Sequence, residues 1–448
     1  MARRFVEFCD VFSQHFIIRG RDISQHARSY LSGLLGTARR KNIGRIEEDV
    51  SGSNYQAMQQ LVSDSPWDHQ ALMSSLATQA DGMLGGHRDT GLYLDESSFV
   101  KKGDASVGVQ RQYCGRLGKI ENCQVGVFAC LGRADRALLV DFRLFLPEAW
   151  LEDERRRAKA KVPPEERRHR TKAQLALEMV RAARERGLSY RWIGGDEVFG
   201  NNVGLTDALE DMGETFLMDV ASTLKVWDKD PQPQLPKALS GLGRPASAKV
   251  PAPGATRRSV AEWTAENFAA HSRAIRLRST TKEPLEYRIW VREVWQWEKG
   301  SQQARRRLLV VRQEADGSHK YSLSNAPSDT TWERLGYMQA QRFWIERAFQ
   351  DAKSELGMAQ YEVRSWRGWH HHMALVCLAM LFIVKERLLA QSDVPFLSAR
   401  DVVELLAIYL PRRSRDPEDV LRQIRERHQK RARAIKSYRR RRRKSVTK

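Results

Sequence analysis

The chain has 448 residues, with 76 Lys plus Arg against 55 Asp plus Glu and a formal net charge of +21. That length accommodates about three domains, each with its own core, and so large a cationic excess points to a phosphate backbone as partner. It argues against a membrane protein, because the longest apolar run, Met373 to Val384, is too short to span a bilayer. The opening residues lack the apolar stretch and small-residue cleavage site of a signal peptide. The cysteines (Cys9, Cys114, Cys123, Cys130, Cys377) are odd in number and form no Cys-x-x-Cys pair, so they read as reduced thiols of a cytoplasmic protein.

Residues 1–85 read as a helical region with a basic cluster at Arg39-Arg40-Lys41 and an aromatic near a turn at Ser65-Pro66-Trp67; DNA contact is expected there. From Gly91 the pattern changes to strands. Gly91 to Asp95 is a short apolar run ending in a carboxylate. The runs 123–131 and 137–146, joined by Gly132-Arg-Ala-Asp-Arg136, are rich in β-branched and aromatic residues and complete an antiparallel meander. A charged loop, 152–170, leads to a helix whose start carries capping-box spacing (Thr171, Gln174) and whose stop is Gly187. Tyr190 to Asp196 is a fourth strand, again ending in Asp, and Thr215 to Val220 a fifth after another helix. Three antiparallel strands, a helix, a strand, a helix and a strand is the order of an α/β, RNase H-like core.

Residues 229–257, rich in Pro, Gly, Ser and Ala, read as a flexible connection. The runs 286–297, 306–312 and 321–325 read as a β-rich insertion within the core. A helix is expected from about 330 to 356, because Leu335, Met338, Ile345, Phe349, Ala352 and Leu356 form one stripe. Arg342, Glu346 and Lys353 share a face beside it. A second apolar helix covers 372–390, and the run Arg439 to Lys444 is expected to be a disordered basic tail. The organisation is therefore 1–85 helical DNA-binding region, 86–225 first part of the core, 226–318 linker and insertion, 319–392 second part with the Glu346 helix, and 393–448 helical basic C-terminal region.

Two aspartates at strand ends, Asp95 and Asp196, with Glu346 on a late helix, make up the donor set for two-metal phosphoryl transfer. Two Mg²⁺ ions about 4 Å apart stabilise the attacking and leaving oxygens of an in-line displacement, and hard divalent ions take oxygen ligands. Oxygen ligands serve Mn²⁺ equally. Each position also has a plainer reading: a strand-end Asp caps the following turn, and Glu346 between Arg342 and Lys353 makes a surface ion pair.

The residues around these positions resemble the DDE transposases of bacterial insertion sequences, in the branch whose catalytic core carries a β-rich insertion. Asp95-Glu-Ser-Ser-Phe-Val-Lys-Lys-Gly, Ser106 to Gly115, Ile120 to Val127 and Gly194-Gly-Asp196-Glu-Val-Phe-Gly200 are similar to that family's segments. Arg342, Glu346 and Lys353 match the Arg-Glu-Lys part of its Tyr-Arg-Glu-Lys signature, and Ser354 to Gly357 and Tyr361 to His370 are also typical. The resemblance runs from about residue 20 to 390. It implies that Asp95 and Asp196 share one metal ion and Glu346 holds the other, and that Arg342 and Lys353 grip strand phosphates. It implies cleavage at transposon terminal inverted repeats, strand transfer into target double-stranded DNA, and a homodimer that synapses two ends. Such a protein is cytoplasmic and nucleoid-associated, with no membrane partner. One departure stands out. Gln339 occupies the place of the signature Tyr, a phosphate contact in the family; a glutamine can still donate a hydrogen bond there, so tuning rather than loss of activity is expected, and Gln339→Tyr is expected to raise end-binding affinity.

Trp290, Trp295 and Trp297 in the insertion have two readings, stacking on an unpaired base and cross-strand packing. Lys101 and Lys102, just after the first Asp, are phosphate contacts or solvated lysines. His370-His371-His372 point in three directions on a helix, which is poor geometry for joint metal ligation. Two rival readings of function remain: a catalytically silent, transposase-derived DNA-binding regulator, and an RNase H-like nuclease that does not join strands.

Overall fold

A computed structural model describes residues 1–235, 248–279, 284–298, 301, 303–413 and 416–446. The middle of the expected flexible connection, 236–247, lies outside the described residues. The strands that matter are β1 (Gly91–Val100), β2 (Gln110–Cys114), β3 (Lys119–Arg133), β4 (Arg136–Phe145), β5 (Trp192–Gly195) and β6 (Phe216–Asp219). They are followed by β7 (Lys225–Trp227), β8 (Arg257–Ser259), β9 (Arg273–Ser279), β10 (Pro284–Gln296), β11 (Arg305–Gln313) and β12 (His319–Ser324).

All belong to one mixed sheet. Strand β3 pairs antiparallel with β4 on one side and β1 on the other, β2 extends the edge of β3, and β5 and β6 run parallel to β1. Antiparallel β12, β11 and β10 continue the sheet beyond β6. β1 is buried along nearly its whole length, as a central strand covered on both faces must be, and this is why Gly91 to Leu94 reads as a continuous apolar run.

One face of the sheet is covered by the N-terminal helices and by Trp366–Leu389, a helix buried nearly all round. The hydrophobic core is continuous from Phe5, Tyr30 and Leu76 through that helix into β1, β3 and β4, so 1–85 shares its core with the strands that follow. Strands β7 to β12 contribute a second, smaller core around Trp263, Trp290, Val294 and Leu309. Glu386, 1 % exposed, is tied to Arg4 by two hydrogen bonds of 2.6 and 2.8 Å. Among the described residues no helix is long and apolar enough to cross a membrane.

Several local expectations hold and two do not. Thr171 and Gln174 form a reciprocal capping box (3.2 and 2.8 Å), and all five cysteines are buried and free. The expected single helix from 330 to 356 is instead two, Trp332–Gln341 and Phe343–Ser354, broken at Arg342. The basic tail expected to be disordered is a helix, Pro417–Val446. Its Arg, Lys, Ala, Glu and Gln residues are good helix formers, no glycine interrupts it, and Glu418 and Asp419 complement the dipole of its first turn.

Arg307 locks β11 to the helix Val203–Asp211. It is fully buried and donates to Glu210 (2.6 Å), Asp207 (3.2 Å) and Gln296 (3.1 Å). Removing one partner of a fully buried pair costs about 3–5 kcal/mol; Asp207 and Glu210 keep some water here, so Arg307→Met is expected to cost roughly 2 kcal/mol. Urea denaturation checks this, and an unchanged midpoint refutes it.

Candidate active site

The parallel ladder sets the geometry of the site. Leu94 pairs with Gly195, and Gly195 pairs with Met218. The next residue on each strand is therefore Asp95, Asp196 and Asp219, three carboxylates level across three adjacent strands about 4.8 Å apart. Asp95 is 8 % exposed and accepts from the Glu96 amide at 2.6 Å. Asp196 caps the short helix Glu197–Gly200, accepting from the Val198 amide at 3.0 Å. Asp219 is 4 % exposed. Gly200 explains the end of the second motif: a Cβ there would lie 1.9 Å from the Asp219 carbonyl oxygen, so only glycine admits this approach.

The helix Phe343–Ser354 brings the fourth carboxylate, Glu346, whose side chain is half exposed. Arg342 joins them. Its Nε donates to Asp219 Oδ2 (2.7 Å), its Nη1 lies 3.4 Å from Asp95 Oδ2, and its Nη2 lies 2.8 Å from Glu346 Oε1. Lys320 reaches the same Asp219 oxygen at 3.1 Å. Lys41 anchors the far end of the Glu346 helix. It is buried, donates to the Leu34 carbonyl (2.7 Å) and to the Glu355 carbonyl, and is therefore not part of an exposed basic cluster with Arg39 and Arg40.

Burial and mutual repulsion dominate the electrostatics. Asp95 is pushed well above the usual carboxylate range, first by burial and then by the charge of Asp196, with Arg342 opposing. Asp196 is raised by burial, against Arg342, and further by Glu96 and Asp219. Arg342 holds its proton more firmly than usual: burial opposes this, but Asp219, Asp95, Glu346 and Asp196 outweigh it. Burial lowers Lys353, reinforced by Arg116 and opposed by Asp95.

Among the described residues no three His, Cys, Asp or Glu side chains converge as a metal-ligating group. The donor chemistry nevertheless fits a hard divalent cation. Two buried carboxylates on neighbouring strands destabilise each other's charged forms, and a cation shared between them relieves that cost. Arg342 meets part of that electrostatic demand from one side.

The remaining residues singled out in the sequence fall in different places. Lys101 lies 3.3 Å over the Tyr361 ring, donates to the Tyr361 carbonyl (3.4 Å), and is lowered to about 7 by burial, with Glu362 opposing. It and the exposed Lys102 line a cleft of about 1040 Å³ with Arg39, Arg40, Arg45 and Arg427. A smaller cavity, about 310 Å³, opens beside Glu346 and is lined by Tyr287, Arg312, Lys320, Arg342 and Phe343.

Gln339 corrects an expectation. It is 1 % exposed, and its amide nitrogen is spent on Ser322 Oγ (2.8 Å) and the Val310 carbonyl (3.4 Å), so it does not present itself to DNA. Trp290 and Trp297 are buried as well, Trp290 inside the second core and Trp297 beside Trp227; only Trp295 keeps part of its surface. Cross-strand packing outweighs base stacking for the two buried rings because their faces are already covered. The three histidines are buried and bond apart from one another. His370 meets the Trp366 carbonyl (2.9 Å), His371 the Val62 and Trp67 carbonyls (3.1 Å each), and His372 the Tyr30 hydroxyl (2.8 Å).

Asp219, Lys320 and Ser322 were not singled out from the sequence. The available signal was that Thr215 to Val220 has the same form as the first and fourth strands, an apolar run reaching an aspartate.

A mixed sheet that gathers buried carboxylates on adjacent parallel strands, beside an arginine at the junction of two late helices, provides oxygen donors of the kind that a hard divalent cation takes. Residues 12–283 match the family model described as DDE superfamily endonuclease, more than half of the chain, and the chain belongs to that family. The matched stretch contains Asp95 and Asp196; Glu346 lies beyond it. The chain is also 26 % identical over 220 residues to the probable transposase for insertion sequence element IS701 of Microchaete diplosiphon, covering 48 % of this chain and 54 % of that protein. The chain thus spans about half the length of the curated relative it matches.

The raised Asp95 has a consequence for stability. Just above the ordinary carboxylate range, burial and the neighbouring Asp196 lead the folded chain to keep a proton on Asp95 that the unfolded chain has lost. Folding takes up a proton in that window, so stability falls as pH rises through it. Without divalent ions, the urea midpoint of the wild type is expected to fall more steeply from pH 5 to 8.5 than that of Asp95→Asn; equal slopes refute the assignment.

Proposed function

We propose that this chain is a DNA transposase that cleaves transposon ends in a metal-dependent reaction and transfers the freed strand into target DNA by a cut-and-paste route. The observation that carries the reading is the level placement of Asp95 and Asp196 on parallel strands, with Glu346 drawn to them through Arg342, in a member of the DDE endonuclease family. The strand order β4-β3-β1-β5-β6 supports an RNase H-like core, with β7 to β12 as an insertion into it. The division 1–85, 86–225, 226–318, 319–392 and 393–448 follows from that reading.

Asp95 and Asp196 would hold one Mg²⁺ or Mn²⁺ ion between them, and Glu346 a second. Such ions supply neutralisation of the charge that builds on the attacking and leaving oxygens during phosphoryl transfer. Arg342 and Lys353 stand beside the carboxylates and hold the scissile-strand phosphates by charge. Lys101, Lys102 and the cleft they share with Arg39 and Arg40 give the duplex a cationic bed, and the arginine-rich end of the C-terminal helix adds sequence-independent affinity. The partner DNA is the terminal inverted repeat and then the target, bound by a homodimer in a synaptic complex, in the cytoplasm at the nucleoid.

The test uses purified protein and a plasmid carrying the DNA that flanks the chain's own gene. Metal-dependent cuts at defined ends, with joined products, are expected. Glu346→Gln should lower cutting at least ~100-fold, since charge stabilisation at such a centre is worth several kcal/mol. Cut ends without joining identify a nuclease only, and binding without cutting in Mg²⁺ or Mn²⁺ identifies a silent regulator. Truncation at Tyr438 should also weaken binding and flatten its salt dependence, by about 0.9 in the slope of log K against log salt for each phosphate no longer neutralised; an unchanged slope means that the run does not touch DNA.

A further inference from the structure

We infer that Asp219, Ser322 and Gln339 form a hydrogen-bonded relay that fixes the guanidinium of Arg342 against the carboxylates, making Asp219 a positioning residue of the active site and Gln339 a part of the scaffold. The inference deepens the transposase reading and rests on it.

The relay can be followed atom by atom. Ser322 on β12 pairs directly with Asp219 on β6, and its hydroxyl donates to Asp219 Oδ1 at 2.7 Å. The Gln339 amide nitrogen donates to the same hydroxyl oxygen at 2.8 Å, so the Ser322 proton is directed to Asp219. The Val310 carbonyl, 3.4 Å from that nitrogen, can only accept, which sets the orientation of the Gln339 amide. Gln339, Ser322 and Asp219 are 1, 0 and 4 % exposed, so water does not compete for these bonds.

The second oxygen of Asp219 holds Arg342 by Nε at 2.7 Å. Nε lies at the root of the planar guanidinium, and gripping it sets the plane of the whole fork. The two outer nitrogens are left to face Asp95 (3.4 Å) and Glu346 (2.8 Å), the positions from which they meet a substrate phosphate. Lys320, 3.1 Å from the same Asp219 oxygen, shares its charge. Gly200 packs so closely on the Asp219 carbonyl that a Cβ there would lie 1.9 Å from its oxygen, so glycine at 200 is what leaves room for Asp219. Orientation of one active-site group by a buried partner is commonly worth one to two orders of magnitude at metal sites, about 10–100-fold.

The experiment is single-turnover cleavage of end DNA across a Mg²⁺ titration, with end binding measured separately in Ca²⁺. Wild type, Asp219→Asn, Ser322→Ala and Arg342→Lys are compared, together with the Asp219→Asn/Arg342→Lys double variant. Asp219→Asn is expected to slow cleavage at least ~10-fold and Ser322→Ala about threefold. End binding should change less than threefold, and half-saturating Mg²⁺ should not move. In the Arg342→Lys background, which lacks the Nε–H, the Asp219→Asn effect should shrink to less than about twofold.

An undiminished effect in that background overturns the inference. So does a rise in half-saturating Mg²⁺, which makes Asp219 a metal ligand, or unchanged cleavage in Asp219→Asn. If Asp219→Asn does not fold, or Arg342→Lys does not cut, Ser322→Ala decides alone: slower cleavage at unchanged Mg²⁺ dependence supports the relay, and wild-type cleavage overturns it. A wild type that does not cut sinks the transposase reading itself, whereas a cutting wild type with an indifferent Asp219 sinks only this inference.

Discussion

The register of three parallel strands governs everything around the candidate site. With Leu94, Gly195 and Met218 side by side, the residues that follow them must emerge together, and all three are aspartates. Three buried carboxylates within two strand spacings are costly to ionise together, and the protein offsets this with a cation from outside the sheet. Arg342 touches Asp95, Asp219 and Glu346 at once, so its guanidinium ties the aspartates of the strands to the helix carrying Glu346. The break in the helix at Arg342 falls at this junction.

The rest of the fold holds those two partners in place. Trp366–Leu389 is buried among the N-terminal helices and β4, and Lys41 from the N-terminal region closes the end of the Glu346 helix by bonding to the Glu355 carbonyl. The N-terminal helices therefore act as packing for the catalytic sheet as well as a candidate surface for DNA. On the other side, β12 pairs with β6 and sends Ser322 and Lys320 to Asp219, so the strands beyond the core reach into the site. A continuous sheet transmits position well because its ladder leaves little freedom of register.

Much of this was legible in the residues. The strands that carry Asp95 and lead to Asp196, the helix capped by Thr171 and the apolar helix after Trp366 follow from apolar run length and capping chemistry, although the first strand runs on past Asp95 to Val100 where the residues suggested that it ends. The motif resemblance was legible too, and membership of the DDE endonuclease family bears it out. Gln339 looked available for DNA because it stands in a motif position, yet strand contacts cover it, and of the two readings of Trp290 and Trp297 their burial favours packing. The tail looked disordered because like charges repel, yet helix propensity is local and the residues of 417–446 are good helix formers.

By itself the sequence determined most local elements, the strands that carry Asp95 and lead to Asp196, the Arg342, Glu346 and Lys353 spacing, and the cationic character, because each depends on residue type and short-range spacing. Only the tertiary structure decided which carboxylates stand level, that Asp219 joins them, and that Arg342 is shared among three. Those outcomes depend on strand register and on contacts between residues more than one hundred positions apart, such as Arg342 with Asp219 and Ser322 with Asp219. No local pattern encodes such pairings; they exist only once β1, β5, β6 and β12 have found their order in the sheet.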